Sequence, residues 1–338
     1  MSAKSKNLNK ARSVKNDEFY TQLIDVKNEL AYYEKCFCGK IVYCNCDTIK
    51  SAFWAYFHLN FSRLGLKKLV STYYSRDGVS YKNEYLGGDD LNIGACVRTL
   101  LKCDGDFRSD DCLEMLDECD IVVTNPPFSL FRDYVATMMK HEKKFLVIGS
   151  LNAITYKEFF PLLKNNKVWL GYTKVKEFLQ ADGSVKKFGN VGWFTNLDIS
   201  KRHDAMILQK KYVPSKYLRY DNYDSINVDK ISDIPYDYDG VMGVPITFLD
   251  KYNPEQFEIL GYTGGVGWNE QNDIKTSKVY IDCKQHNPDG SITNGSKVNT
   301  GATILCDYVP NQRYYTASNG DGCLLRVYGR ILIRRRGN

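Results

Sequence analysis

Four consecutive residues with the chemistry of a binding site follow an apolar run: Asn125, Pro126, Pro127 and Phe128. The side-chain carbonyl of Asn125 accepts hydrogen bonds and does not titrate. Neither proline carries a backbone N–H, and each ring restricts its own backbone, so the loop presents carbonyl oxygens on a stiff segment. Phe128 adds a flat aromatic face. These groups predict a site for a planar base whose exocyclic amino group donates to Asn125 and to the Pro126 carbonyl while its ring stacks on Phe128.

Hydrogen bonds of this kind draw the lone pair of an amino nitrogen out of conjugation with the ring, so that the nitrogen becomes a nucleophile. No covalent intermediate with the protein is required. The loop therefore indicates group transfer to a planar amino or amide nitrogen. The structural alternative is a buried strand that ends in an ordinary proline turn.

The apolar run before this loop belongs to an alternation of strand and helix patterns. Strands are predicted at 40–46, 67–75, 120–124, 143–150 and 167–172, and helices at 48–64, 129–140 and 154–166. Asp47 or Thr48 is the expected cap of the first helix, and Gly65 its stop. The alternation predicts an α/β fold with a doubly wound, mostly parallel sheet covered by helices on both faces. Ligands of such sheets lie beyond the carboxyl ends of the strands, where strand order reverses, and the loop 125–128 follows one such end.

Beyond about residue 260 the sequence changes to Gly, Asn, Thr and short β-like runs, which predicts a smaller β-rich C-terminal region. Three parts are therefore expected: a basic arm at 1–15, a catalytic domain at 16–260 and a β-rich appendage at 261–338.

Composition limits the class of protein. Hydrophobic residues make up 43% of the 338 residues and charged residues 25%, which are values of a globular protein. The sequence has no run of eighteen apolar residues and no apolar centre of a signal peptide near its start, so we expect a soluble, cytoplasmic protein without membrane contact. In that compartment the eleven cysteines are expected to be reduced.

Basic residues concentrate at the two ends of the chain. They are Lys4, Lys6, Lys10, Arg12 and Lys15 near the start and Arg330, Arg334, Arg335 and Arg336 near the end. Basic ends suit a polyanion such as nucleic acid, and Lys10, Arg12 and Lys15 are the predicted phosphate contacts. The alternative is that these residues are solvated and only keep the protein soluble.

The Asn-Pro-Pro-Phe motif resembles the catalytic motif of amino-group DNA methyltransferases. Over roughly residues 10–260, further segments resemble the EcoRI-type adenine-specific modification methyltransferases in the same order: NDEFYTQ, VYCNCD, GDFRSD, DIVVTNPPFSLF, AITYKEFF, NLD, YDNYDSINV and GVMGVPITFLDKYNPEQFE. The resemblance implies the fold of S-adenosylmethionine-dependent methyltransferases. It also implies methyl transfer from that cofactor to N6 of an adenine turned out of double-stranded DNA. The enzyme would work beside a companion restriction endonuclease for the same site, or as a modification enzyme without one.

The resemblance also implies roles for individual residues. Those expected to line the methionine end of the cofactor are Asp17, Glu18, Phe19 and Tyr20. The turn VYCNCD lacks the glycines that related enzymes carry there, which leaves Asn45, Cys46 and Asp47 as the expected polar contacts. Asp106 is expected to bind the adenine amino group of the cofactor, with Phe107 packed on the adenine ring. Trp193 and Phe194 either help to hold the target base or are core residues.

A zinc site is the alternative for Cys36, Cys38, Cys44 and Cys46. Two Cys-x-Cys pairs are spaced more tightly than metal knuckles prefer, and the four histidines show no ligand spacing, so no metal is expected. Three other functions stay open from the residues alone. They are cytosine N4 methylation, methylation of RNA or of a protein glutamine, and DNA binding without catalysis on the same fold.

Overall fold

The computed structural model describes residues 20–75, 78–180, 184–264 and 269–337. The chain forms two compact units. Unit 1 contains the described residues up to Phe159 together with Val168–Ile199, and unit 2 contains Phe160–Lys167 and the described residues from Ser200 onward.

Unit 1 is a mixed α/β structure. Its strands are β1 (Tyr20–Thr21), β2 (Ile41–Cys44), β3 (Lys68–Ser71), β4 (Tyr81–Tyr85), β5 (Val97–Leu100), β6 (Ile121–Thr124), β7 (Lys144–Ser150), β8 (Trp169–Lys174), β9 (Glu177–Leu179), β10 (Val185–Lys187) and β11 (Val191–Thr195). Its helices are α1 (Leu23–Leu30), α2 (Glu34–Phe37), α3 (Ala52–Leu59), α4 (Phe61–Leu64), α5 (Asp110–Glu118) and α6 (Phe131–Lys140).

The main sheet has eight strands in the order β5-β4-β3-β2-β6-β7-β11-β8. Its centre, β3-β2-β6-β7, is parallel. Four of the seven pairs, at the two sides, are antiparallel, so the prediction of a mostly parallel sheet is wrong. Two neighbouring parallel strands must be joined by a crossover connection, which is usually a helix. The described residues between β3, β4 and β5 contain no helix, so these strands are antiparallel.

Strand order reverses between β2 and β6. From β2 the chain moves to β3 on one side, and it later returns to place β6 on the other side. The two strands are parallel and in register, with Val42 opposite Ile121 and Tyr43 opposite Val122. The turn after β2 and the loop after β6 therefore begin side by side at the same edge of the sheet.

Helices cover both faces of this sheet. On one face, Val42, Ile121 and Trp193 pack in a core cluster with residues of α1 and α3. Successive side chains of a strand point to opposite faces, and Phe194 packs instead against Phe131 of α6, with ring centroids 5.2 Å apart.

The first predicted helix is divided into α3 and α4. Ser51 caps α3, because its hydroxyl accepts from the Trp54 N–H at 3.1 Å, so the predicted caps Asp47 and Thr48 are wrong. The predicted stop at Gly65 is confirmed by a left-handed backbone, with φ of 63°.

A second sheet of unit 1 contains the short strands β1, β9 and β10 in that order, all antiparallel. Tyr20 pairs with Leu179 and Thr21 with Phe178. Tyr20 and Thr21 are thereby held against β9.

Unit 2 is rich in β-structure. Its elements are α7 (Phe160–Lys164), β12 (Ile226–Asn227), β13 (Met242–Pro245), β14 (Phe257–Tyr262), β15 (Lys284–His286), β16 (Ile292–Asn294), β17 (Thr303–Cys306), β18 (Tyr314–Thr316), β19 (Cys323–Arg326) and β20 (Arg330–Arg335). Helix α7 is shorter than the predicted 154–166, because Pro161 lacks an N–H and fits only near a helix start.

The strands of unit 2 form two sheets, β12-β13-β20-β14 and β16-β15-β18-β19-β17. The C-terminal strand β20 lies between β13 and β14 and is antiparallel to both. The structure therefore divides the chain differently from the predicted boundary at residue 260. A change in composition shows where short strands begin, but it does not show which distant strand they pair with.

Candidate active site

The ends of β2 and β6 are joined through the side chain of Asp47. The hydroxyl of Thr124, the last residue of β6, donates to Asp47 Oδ2 at 2.5 Å. The Asn125 backbone and the Ser51 hydroxyl also act on this carboxyl, since both lower its pKa. The Asp47 N–H in turn donates to the Thr72 carbonyl beyond β3 at 2.9 Å. The predicted turn and the predicted loop thus form one connected structure.

The Asp47 carboxyl is buried, with the residue 8% exposed. Burial raises its pKa to about 7, although the hydrogen bonds from Thr124, Ser51 and the Asn125 backbone act in the opposite direction. Among the ion pairs formed by the described residues, none includes Asp47. This is a carboxyl held by neutral donors in a site of low polarity.

Asn45 connects the turn to helix α6. Its side-chain oxygen accepts from the Tyr134 hydroxyl at 2.5 Å, and the residue is 1% exposed. The Tyr134 ring lies 5.0 Å from the ring of Phe107. Cys46, between Asn45 and Asp47, is half-buried. Asn45 and Phe107, predicted separately as cofactor contacts, therefore contact the same tyrosine.

The loop itself combines buried acceptors with a half-exposed ring. Asn125 and Pro127 are half-buried, Pro126 is buried, and the Asn125 side-chain oxygen is shielded from solvent. Phe128 opens a short 3-10 turn that leads into α6. The loop is therefore anchored at both ends, by β6 and by a helix, as a fixed acceptor surface requires.

Two aromatic side chains hold the Phe128 ring edge-on. Phe178 of β9 lies 6.0 Å away and Phe188, just after β10, lies 6.2 Å away, both nearly perpendicular to Phe128. Phe178 is fully buried, whereas Phe188 is half-buried like Phe128. The predicted site residues did not include Phe188. Its signal in the sequence is a single aromatic residue within the polar stretch KKFGN.

Asp106 is already bound to an arginine. Arg108 donates to Asp106 Oδ1 from its backbone N–H and its Nε at 2.9 Å, and to Oδ2 from its guanidinium at 2.7 Å. These bonds hold the pKa of Asp106 below its usual range. The Arg108 guanidinium also lies 5.2 Å from the centroid of the Phe107 ring. Phe107 is only 4% exposed, so its ring is packed inside the unit rather than open.

Trp193 and Phe194 are core residues. Trp193 is 1% exposed and lies 5.9 Å from Phe53 of α3, whereas Phe194 is fully buried on the opposite face of the sheet. Neither ring presents a free face on which a base could stack. The half-buried aromatic side chain that the structure places beside Phe128 is Phe188 instead.

Comparison with known proteins agrees with the motifs. A family model described as the adenine-specific methyltransferase EcoRI matches residues 7–336. The type II methyltransferase M.EcoRI of Escherichia coli is 45% identical, over 78% of this chain and 91% of that protein. The type II methyltransferases M.MgeORF184P of Mycoplasma genitalium and M.MpnI of Mycoplasma pneumoniae are each 38% identical, over 75% of this chain and 84% of their own length. No solved structure matches the chain.

The chain belongs to the EcoRI family of adenine-specific methyltransferases. The predicted resemblance is thereby confirmed, and so is the prediction of a DNA adenine methyltransferase. The cytosine and non-catalytic alternatives are not favoured.

Within this family member, the predicted N-terminal site residues fall largely outside the described part of the chain. Asp17, Glu18 and Phe19 lie there, as do the predicted phosphate contacts Lys10, Arg12 and Lys15. Tyr20 begins β1. Strand β1 pairs with β9, whose Phe178 contacts Phe128.

The arginines of the basic C-terminus bind acceptors within unit 2. Arg330 pairs with Asp229 at 3.3 Å, and Arg334 pairs with Glu258 at 2.6 Å. Arg335 donates to the Tyr236 carbonyl, and Arg336 donates to the Pro254 carbonyl at 2.8 Å. Arg334 and Arg336 are exposed, and binding of a polyanion at this end stays a prediction.

The described residues contain no group of three or more His, Cys, Asp or Glu side chains placed to hold a metal ion. In the same part of the chain, no helix has the length and apolar character needed to cross a membrane.

Proposed function

We propose that the enzyme methylates N6 of adenine within a specific DNA sequence, with S-adenosylmethionine as methyl donor and the target adenine turned out of the duplex. The observation that carries this proposal is the junction of β2 and β6. There the Asn-Pro-Pro-Phe loop begins beside the turn of Asn45, Cys46 and Asp47, at the point where strand order reverses. Ligands of α/β sheets bind at such points.

The fold supports the same proposal. A parallel centre, helices on both faces and a strand reversal between β2 and β6 agree with the doubly wound fold of S-adenosylmethionine-dependent methyltransferases. The antiparallel strands at the sides extend that centre and leave the carboxyl ends of β2 and β6 adjacent.

The residues near this junction fit the cofactor. When bound, S-adenosylmethionine supplies an activated methyl group on a sulfonium centre. Asp106 Oδ2 accepts one hydrogen bond, from the Arg108 guanidinium, and a carboxylate oxygen has room for a further donor such as the cofactor's adenine amino group. The side chains of Asn45 and Asp47 bind protein groups, so polar contacts from this turn would come from its backbone and from Cys46. Asp17, Glu18, Phe19 and Tyr20 stay proposed contacts for the methionine end.

The loop then orients the target base. The Asn125 side-chain carbonyl and the Pro126 carbonyl accept the two N6 hydrogens, which directs the nitrogen lone pair toward the methyl group. Phe128 stacks on the adenine ring, and base–aromatic stacking contributes roughly 1 to 3 kcal/mol. That contribution offsets part of the few kcal/mol needed to extrude a paired base. Phe188 is positioned to shield the same pocket.

The test is methyl transfer from isotopically labelled S-adenosylmethionine to separate pools of DNA, RNA and protein. The proposal predicts label in DNA alone, recovered as N6-methyladenine by mass spectrometry of the digested bases. Label in N4-methylcytosine, in RNA or in a glutamine side chain would overturn it. Long-read detection of modified bases in DNA from cells that express the enzyme then gives the recognition sequence.

A companion restriction endonuclease for the same sequence is part of the proposal. In that case, DNA methylated by this enzyme resists cleavage by the nuclease, whereas unmethylated DNA is cut. A modification enzyme without a partner gives the same methylation pattern, and co-expression with the neighbouring reading frames of its genome separates the two.

A further inference from the structure

Asp47 stands apart from the other residues predicted to bind the cofactor, because its side chain faces the catalytic loop. Its carboxyl accepts from the Thr124 hydroxyl at 2.5 Å, and Asn125 follows Thr124 directly in the chain. Thr124 is fully buried, and Asp47 is 8% exposed. A carboxylate that recognises a ligand needs an open acceptor site, whereas this one is directed toward donors of the protein.

The Thr124 hydroxyl, at the end of β6, donates to this carboxyl, and the Asn125 backbone and the Ser51 hydroxyl that caps α3 both lower its pKa. A carboxyl has two oxygens that can accept hydrogen bonds. An asparagine of the same shape offers one acceptor oxygen, and its NH2 group cannot accept from Thr124. Asp47 therefore supplies acceptor capacity at this position that an asparagine lacks.

We propose that Asp47 is a positioning residue for methyl transfer, which holds Thr124 and the Asn125 backbone and thereby sets the direction of the Asn125 side-chain carbonyl. The inference rests on the proposed function and assigns Asp47 to the target-base loop instead of the cofactor. Misplacement of a reacting group by about 1 Å can cost on the order of a hundredfold in rate. A fixed Asn125 backbone is therefore a direct requirement for catalysis.

The surroundings of the carboxyl do not favour its ionised form. Among the described residues, the titratable groups that face it are the thiols of Cys44 and Cys46 and the phenol of Tyr134, and burial raises the pKa of each. They are neutral near pH 7, so no cation of the described part of the chain offsets a charge buried here. A destabilising ionisable group beside a catalytic loop is typical of a functional site.

The deciding variant is Asp47→Asn in the full-length protein, with single-turnover methyl transfer measured at saturating DNA and cofactor. We expect the rate to fall about 10- to 100-fold, while the dissociation constant for S-adenosylmethionine, measured by calorimetry, changes less than about threefold. A cofactor ligand gives the opposite result, with weaker binding and a normal rate at saturation. That opposite result, or an unchanged rate, overturns the proposal.

Thr124 supplies matched variants on the other side of the hydrogen bond. Thr124→Val removes the hydroxyl at nearly constant shape and should slow transfer as Asp47→Asn does, whereas Thr124→Ser keeps the hydroxyl and should restore most of the rate. The double variant Asp47→Asn/Thr124→Val should be no slower than the slower single variant, because both remove one link. If the losses of rate in the two single variants instead multiply in the double variant, Asp47 and Thr124 do not act together and the proposal is wrong.

Failure of this inference differs from failure of the proposed function. If the wild-type enzyme places no methyl group on adenine, the proposed function is wrong. If the wild type is active and Asp47→Asn is equally fast, only the role of Asp47 is wrong. Circular dichroism and denaturant titration of each variant confirm that it is folded before rates are compared.

Discussion

Two buried asparagines of unit 2 and the strand-end cluster of unit 1 make different kinds of hydrogen bond. In unit 2, Asn272 donates to the Tyr262 carbonyl and accepts from the Tyr262 N–H, both at 2.9 Å. Asn222 bridges the Gly301 carbonyl and the Thr303 N–H in the same way. At the ends of β2 and β6 in unit 1, by contrast, the buried side chains of Asp47 and Thr124 bond to each other.

The two kinds of hydrogen bond serve different purposes, one in stabilising the fold and the other in holding the catalytic loop. An asparagine that pairs with both a backbone donor and a backbone acceptor satisfies groups that would otherwise be buried without partners, so it stabilises the fold. In the strand-end cluster of Asn45, Asp47 and Thr124 the side chains bond to other side chains, and no ion pair of the described residues includes its acid. Such a cluster is costly for stability and is suited to holding a catalytic loop.

The largest effect that would sharpen this comparison is a pH dependence of stability from Asp47. Its pKa in the folded protein, about 7, is above its ordinary value of 3.8, so the folded state retains a proton that the unfolded state has lost between those values. The contribution of Asp47 to the free energy of unfolding is therefore greatest below pH 4, decreases as the pH rises to 7 and is constant above pH 7. Between pH 3.8 and pH 7 the free energy of unfolding falls by as much as about 4 kcal/mol for this reason, at 1.36 kcal/mol per unit of pKa shift.

The measurement is the free energy of unfolding of the wild type minus that of Asp47→Asn, from pH 4 to pH 8. The difference should fall from pH 4 to about pH 7 and then stay constant to pH 8, since other titrating groups cancel. A difference that does not change with pH would show that Asp47 is not an uncompensated buried acid.

A second effect concerns Asp106, whose carboxylate is shared with Arg108. Loss of a hydrogen bond to a charged group costs about 1.5 to 3 kcal/mol, so Asp106→Ala should weaken S-adenosylmethionine binding tenfold or more. The matched control is Asp110→Ala, at an exposed position of α5. Calorimetric titration that shows equal affinities for both variants and the wild type would remove Asp106 from the cofactor site.

A third effect tests the structural role of buried asparagine in unit 2. Asn272→Ala leaves the N–H and C=O of Tyr262 without their side-chain partner and should cost about 1 to 3 kcal/mol of unfolding free energy. The rate of methyl transfer should stay within about twofold of the wild type. Asn311→Ala, at an exposed position, is the control and should change neither quantity. A large loss of rate in Asn272→Ala would break the distinction between the units.

The smallest effect concerns the N-terminal arm. If Lys10, Arg12 and Lys15 bind phosphates, replacing them by alanine should reduce the slope of log affinity against log salt by about 0.9 for each phosphate that is no longer neutralised. Replacing Lys4 and Lys6 tests whether the effect belongs to those positions or to the charge of the arm as a whole. Fluorescence anisotropy with labelled DNA gives the slopes, and identical slopes would assign the arm to solubility.

Local chemistry explains what could be predicted from the sequence. The strand before Asn125 is a short apolar run, and the proline pair fixes the loop regardless of what surrounds it, so a few residues suffice to predict both. The stop of α4 at Gly65 is local in the same sense. Family resemblance then added the cofactor and the target base.

Long-range contacts explain what could not be predicted from the sequence. The hydrogen bond between Asp47 and Thr124 joins residues 77 positions apart, so no local pattern shows it. The same holds for Phe188 beside Phe128 and for the central position of β20 in unit 2. Arg108 is only two residues from Asp106, but the pairing depends on a turn whose geometry the sequence does not display.

The most direct test of the central claim is single-turnover methyl transfer by Asn125→Ala, measured beside Asn272→Ala with the same DNA. If Asn125 accepts from the target amino group, its loss should slow transfer about 100- to 1000-fold, as expected when one preorganised hydrogen-bond partner is removed. The affinities for DNA and for S-adenosylmethionine should change only a few-fold, and Asn272→Ala should transfer at nearly the wild-type rate. Near-normal transfer by Asn125→Ala would contradict the account.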